Sequence, residues 1–162
     1  MFSIGFTDDP LMQTELAEDE RVGLLVLGDH RERFVVHIRP WFERQYVVHW
    51  HFALIRALKG KPSALITDMQ TPVQSSHLAW WPMWRINSEI VFHNQLLFFA
   101  KHRVEGSRVA VKHLYEFIGN HLSHNNEGTP VSEWTVPVSD VEIFLNSERI
   151  RRGVWPRYLP KY

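Results

Sequence analysis

Residues 40–62 run Pro-Trp-Phe-Glu-Arg-Gln-Tyr-Val-Val-His-Trp-His-Phe-Ala-Leu-Ile-Arg-Ala-Leu-Lys-Gly-Lys-Pro, and the architecture follows from how this stretch is read. Pro40 stands where the first turn of a helix accepts a proline. Apolar residues at 41, 48, 52 and 55, flanked by 42, 46, 50, 53 and 57, form one wide apolar arc. Gly60 suits the left-handed position past a helix end, and Pro62 forbids continuation. The stretch predicts one long helix over about 40–58, and a helix with a wide apolar arc needs a second layer to cover it.

The flanking sequence supplies that layer as strands. Upstream, Val22 to Leu27 is a short apolar run closed by the turn signal Gly28-Asp29, and Arg33 to Ile38 is a second strand or an extended connection. Downstream, Ala64 to Thr67 starts another strand, and Thr71-Pro72 with Gln74 to Ser76 makes a loop. Leu78 to Ile86 and Glu89 to Phe99 then form an aromatic-rich hairpin about Asn87-Ser88. Residues 113–120 satisfy neither the helical nor the strand period cleanly. Strand is preferred there because the polar turn His124 to Gly128 leads into another β-like run, Val131 to Val136. Pro137 ends that run. Ser139, with Glu142 three residues on, has the form of a capping box opening a short helix, about 139–147, through Val141, Phe144 and Leu145. Gly153 to Tyr162 holds two prolines and is expected to be irregular. The fold class is therefore α+β: a single domain over 1–162, an antiparallel sheet with one long helix packed on it.

Composition narrows the function. With 162 residues and 44% hydrophobic content, the chain can bury a core without staples. It has no cysteine, which removes disulfides, thiolate zinc sites and thiol nucleophiles and suits a reducing compartment. Met1 to Phe6 is followed at once by Asp8 and Asp9, unlike a secretory signal, and no run reaches the ~18 apolar residues of a membrane span. A cytoplasmic protein is expected. Eighteen basic and eighteen acidic side chains balance, so the positive field of a general nucleic-acid binder is missing. Their distribution is uneven. Asp8, Asp9, Glu15, Glu18, Asp19 and Glu20 occupy an acidic segment, 8–20, without Lys or Arg. The basic tail, 149–162, holds Arg149, Arg151, Arg152, Arg157 and Lys161 without Asp or Glu. Clustered carboxylates of the first kind can imitate a phosphate backbone and enter a basic cleft.

Ten histidines raise metal or general-base chemistry. Their spacing gives it little support: His49 and His51 point to different faces of a helix, and no His-Glu-x-x-His run occurs. No nucleophile elbow, phosphate-cradling loop or dinucleotide fingerprint occurs either. No catalytic, cofactor-binding or metal-binding residue is assigned. The enzyme alternative is a small RNA-binding or RNA-cleaving protein whose His, Glu and Lys are assembled only by folding.

One set of residues goes further. Leu27-Gly28-Asp29, Glu32, Phe34, Trp41, Tyr46, Trp50 and Gly60 are followed by Trp84-Arg85-Ile86-Asn87 to Gln95, by Asn126-Glu127-Gly128, and by Val131-Ser132-Glu133-Trp134 with a small helix at Ser139 to Leu145. Together they resemble the CdiI-type immunity proteins of bacterial contact-dependent growth inhibition, over roughly Val22 to Leu145. His30 and His49 depart from the pattern, which often has an aromatic at the first position and Gln at the second. The resemblance implies a cytoplasmic protein that binds and neutralises the C-terminal domain of a cognate toxin, a nuclease or another effector, and catalyses nothing. Physically, Trp41, Tyr46, Trp50 and Trp134 then act as scaffold. Toxin contacts are expected, from charge, at Asp8, Asp9, Glu15, Glu18, Asp19 and Glu20, with the loops at 70–77 and 121–128 next.

Overall fold

A computed structural model describes residues 1–8, 16–39, 41–69, 76–103, 111–125 and 127–152, the last four through their backbone. Helix α1, Glu43–Leu58, is the long helix expected from the sequence, though it begins three residues later than Pro40, which lies outside the described residues. Phe42 is its N-cap. It offers no side-chain oxygen, so the start is held from the other side: Gln45 Oε1 accepts the Phe42 N–H at 2.9 Å. At the other end Gly60 takes φ +74°. Its N–H reaches Ala57 O at 2.8 Å and the Lys61 N–H reaches Arg56 O at 3.3 Å, the paired bonds that close a helix through a left-handed glycine. The deepest stripe is Tyr46, His49, Trp50, Ala53, Leu54 and Ala57. Val48, Phe52 and Ile55, central to the sequence-based arc, flank it.

Among the described residues the strands form two antiparallel sheets, not the one expected. The first is a meander, β1 (Phe2–Thr7), β2 (Glu20–Leu27) and β3 (His30–His37). β1 is not among the expected strands, although its apolar residues alternate with small and polar ones. The β2–β3 hairpin turns at Gly28-Asp29, with Leu27 opposite His30 and Gly28 at φ +65°, a positive angle at the first turn position that glycine adopts without strain. Gly23 pairs with Phe34 across the same hairpin. A Cβ on Gly23 would sit 2.2 Å from the Phe34 ring, so the missing side chain is what lets that ring lie over β2.

The second sheet runs β4 (Ser63–Asp68), β5 (His77–Ile86), β6 (Glu89–His93) and β8 (Glu133–Pro137), with β7 (Gln95–Phe98) also paired to β5. The expected strand 89–99 is thus divided in two. Met83 faces Phe92 and Trp80 faces Gln95, so β6 and β7 keep one register and skip only His93 and Asn94. Pro82, which has no N–H for a ladder, stands opposite this gap. There Asn94 turns its amide to Glu32 Oε1, 3.0 Å away. Phe99–His102 is a single helical turn, α2.

Residues 113–120 are not a strand. Leu114–Phe117 is a 3₁₀ turn whose one buried residue is Leu114. Tyr115 lies under the Arg56 guanidinium at 4.2 Å and Phe117 against His102 at 4.7 Å, so the aromatics here grip separate neighbours instead of alternating across a sheet. Helix α3, Val138–Arg152, follows β8 directly and is longer than the expected 139–147. Ser139 therefore lies inside its first turn and is not the N-cap, and Arg149 to Arg152 continue the helix instead of opening an irregular tail. Residues 153–162 lie outside the described residues. Val141, Phe144 and Leu145 are buried, with Phe144 meeting Phe2 edge-on at 5.2 Å.

Side chains of α1 and β3 cover the edge of β4 that β5 leaves open. Trp50 Nε1 donates to Ile66 O at 2.7 Å, His49 Nε2 accepts the Ile66 N–H at 3.1 Å, and the Tyr46 hydroxyl accepts the Met69 N–H at 3.1 Å. The same hydroxyl donates to His37 O at 3.0 Å. Burial, then the Asp68 charge, push the Tyr46 phenol up, so it stays protonated and can donate. Asp68 Oδ1 in turn accepts the His37 N–H at 3.2 Å. The two sheets meet at this corner without sharing a ladder. One cluster of buried residues, from Phe2 and Leu25 through Trp50 and Trp81 to Phe92 and Val141, fills the space between sheets and helices.

Candidate functional site

The described members of the acidic segment lie at one edge of the first sheet. Asp8 is exposed just beyond β1, Glu18 and Asp19 form the turn into β2, and Glu20 is the first residue of β2. Asp9 and Glu15 lie outside the described residues. The segment has no cation of its own, yet the fold brings partners to it. Arg39 Nε is 2.9 Å from Asp19 Oδ2, and His37 Nε2 is 3.3 Å from Glu20 Oε1. Glu20 Oε2 also accepts the Ala17 N–H at 2.9 Å. Arg21 binds the Glu18 and Glu20 carbonyls and pairs with Glu43 at 3.0 Å. Asp19 and Glu20 are thus engaged in holding the turn, which leaves Asp8 and Glu18 as the exposed described carboxylates of the segment.

A second constellation was not legible in the sequence. The β6–β8 ladder sets His93 opposite Glu133, and the chain after the 3₁₀ turn brings His121 to the same carboxylate. His93 Nε2 donates to Glu133 Oε2 at 3.1 Å and His121 Nε2 to the same oxygen at 2.5 Å. Burial pushes the Glu133 carboxyl up, but the hydrogen bonds from His121 and His93 outweigh it and hold the group below the usual carboxylate range. Trp84 packs on both rings, 4.8 Å from His93 and 5.4 Å from His121, and its Nε1 donates to Gly119 O at 2.9 Å. His93 also borders a cleft of about 370 Å³ lined by Trp80, Trp84, Lys101, Asn120 and His124 among others. His93 and Glu133 are forty residues apart in the chain, and the one signal that could have joined them was the register of two strands not adjacent in sequence.

The expected scaffold tryptophans are in place. Trp50 is 1% exposed. Trp41 lies against Tyr46 and His49 at 5.2 and 5.3 Å. Trp134 of β8 stacks on His30 of β3 at 4.5 Å and reaches Trp81 at 5.2 Å, so it spans the two sheets. Both are half-buried.

A family model described as the CdiI N-terminal domain matches residues 36–144, from the end of β3 into α3. The chain belongs to the CdiI family. The matched span contains the His93, His121 and Glu133 cluster and leaves the acidic segment outside. Across 149 residues, 91% of this chain and 98% of the relative, it is 24% identical to the immunity protein CdiI of Enterobacter cloacae subsp. cloacae. The fold is also similar to a chain in the structure of a CdiA-CT/CdiI toxin and immunity complex from Enterobacter cloacae. That match has a TM-score of 0.74 at 20% identity, covering 91% of this chain and 97% of the other. No helix among the described residues is long and apolar enough to cross a membrane.

Proposed function

We propose that this CdiI-family chain is the immunity partner of a contact-dependent growth inhibition toxin: in the cytoplasm it binds the C-terminal domain of its cognate toxin, acts as one unit, and blocks that domain without catalysing a reaction. The observation that carries the reading is the family match over 36–144, supported by the likeness in fold to a chain of a toxin and immunity complex. The toxin domain is proposed to be a nuclease, because such an enzyme carries a basic cleft for its phosphate substrate and the acidic segment complements one. Immunity must outlast toxin production, so affinity is expected at nanomolar or better, on the order of −12 kcal/mol.

The deciding experiment is co-expression with the C-terminal domain encoded immediately upstream. Growth rescue and a one-to-one complex are expected, and the absence of both overturns the reading. The purified protein alone should leave transfer RNA intact. The cluster of His93, His121 and Glu133 is where RNA-cleaving chemistry would reside, so cleavage abolished by His121→Ala would establish that alternative instead.

The acidic segment Asp8, Asp9, Glu15, Glu18, Asp19 and Glu20 remains the proposed toxin contact. Since Asp19 and Glu20 hold their own turn, the cleaner test neutralises Asp8, Glu15 and Glu18. Association at low salt should then fall several-fold towards the roughly 10⁵ to 10⁶ M⁻¹s⁻¹ of unsteered encounters, with the melting temperature nearly unchanged. An unaltered association rate would move the interface to the loops at 70–77 and 121–128.

A further inference from the structure

The geometry points to a binding site for one divalent transition metal ion of the zinc class, held by His93, His121 and Glu133, which fastens the segment after the 3₁₀ turn to the β6–β8 pair. The inference is independent of the toxin-binding reading.

Three separate parts of the chain each supply one donor atom, and the three atoms lie within 4.8 Å of one another. Two imidazole nitrogens with one carboxylate oxygen suit zinc and its first-row neighbours, whereas magnesium and calcium prefer oxygen throughout. Bonds of about 2.0–2.2 Å in a tetrahedral site place donors roughly 3.3 Å apart. The His93–Glu133 separation of 3.1 Å already meets that figure, and the 2.5 Å between His121 and Glu133 has to open by less than about 1 Å. The side chain that must move can do so: His121 is 22% exposed, whereas His93 is 3% exposed and fixed on its strand.

The surroundings can accommodate the ligand form of His93 in place of the tautomer that donates Nε2 to Glu133. Coordination through Nε2 requires the proton on Nδ1 and an acceptor for it. The Gln95 amide nitrogen lies 3.4 Å from Nδ1, and turning that amide over would present its oxygen to accept the proton. Trp84 packs on both imidazoles and fixes the Gly119 carbonyl two residues before His121. Three protein donors leave a fourth position, and the cleft beside His93 has room for a water there. Without metal the same side chains form a hydrogen-bonded His-Glu-His chain, in which one carboxylate oxygen serves both rings.

The test uses the full chain stripped with a chelator and titrated with zinc. Calorimetry should give one site at micromolar affinity or better, and zinc should raise the melting temperature reversibly. His121→Ala removes the more exposed of the two imidazoles and leaves the buried side of the site intact. It should keep the metal-free melting temperature within a few degrees, weaken zinc binding by at least about tenfold, and abolish the zinc-induced rise. His124→Ala, a neighbour outside the ligand set, should change neither. Cobalt(II) should give the intense visible absorption of a tetrahedral ion, lost in Glu133→Gln. Zinc binding equally tight in His121→Ala and the parent, several equivalent weak sites, or equal losses in His121→Ala and His124→Ala would each overturn the assignment.

Discussion

Replacing Trp50 by alanine is expected to lower the unfolding free energy by about 3 to 5 kcal/mol, a large part of the ~5–15 kcal/mol that holds a domain folded. The indole is the centre of the contact between α1 and the first sheet. Its neighbours are Phe6 at 5.3 Å, Phe34 edge-on at 6.2 Å and Tyr46 at 6.0 Å. Phe34 lies so close only because residue 23 is a glycine, so a cavity at Trp50 would also remove a packing partner of that ring. Its N–H is also spent on Ile66 O. Trp50→Phe should therefore recover most of the packing and still cost about 1–2 kcal/mol for the carbonyl left unpaired. Urea unfolding of the two variants separates these contributions. A loss below about 1 kcal/mol for the alanine variant would show that α1 is not anchored through this residue.

The second large effect depends on pH. Burial lowers the His49 pKa to about 4, with a backbone hydrogen bond to Ala64 acting weakly in the opposite sense. The neutral ring fits its site, because Nε2 faces the Ile66 N–H and a proton there would set donor against donor. In the unfolded chain the imidazole titrates near 6.5, so below that pH the unfolded state binds a proton that the native state refuses. The stabilisation is full above about 6.5 and drains away as pH falls towards 4. Between pH 7.5 and 5 the parent should lose about 2 kcal/mol from this group alone. His49→Gln stays neutral throughout and can present an oxygen to the same N–H. Other histidines contribute to both proteins, so the difference between their pH profiles isolates His49. Parallel profiles would mean that His49 is not buried as a neutral base.

Much of the fold was legible because the relevant signals are local. The helix at 43–58 announces itself by amphipathic spacing and by Gly60, and both two-residue hairpin turns are visible as Gly28-Asp29 and Asn87-Ser88. Its deepest stripe was displaced because His49 reads as a polar residue, while the structure makes it a buried acceptor for β4. Leu114–Phe117 looked strand-like because an aromatic run resembles an alternating one when its partners are unknown. Ser139 had the form of a cap, but the chain passes from β8 into α3 without a break. For the site, the acidic residues were visible as a run, whereas Arg39 and His37, which the fold brings to Asp19 and Glu20, were not. His93, His121 and Glu133 carry no spacing motif at all: their meeting is a property of strand order.

The side chains that α1 lays along β4 have a further consequence for how the protein behaves in a crowd of its own copies. Ser63 to Thr67 is a fully buried, uncharged stretch rich in β-forming residues, and a bare edge of that kind is a template on which another chain can add a strand. Trp50 and His49 occupy the Ile66 carbonyl and N–H from within the molecule, and Tyr46 takes the Met69 N–H just past the strand's end, so in the native protein this part of the edge is already engaged. Acid that charges His49 ejects one of these blockers first. The acid-opened chain should accordingly tend to assemble into β-rich aggregates rather than persist as dispersed unfolded monomers, and return to neutral pH should rescue only the fraction that had not yet found a partner.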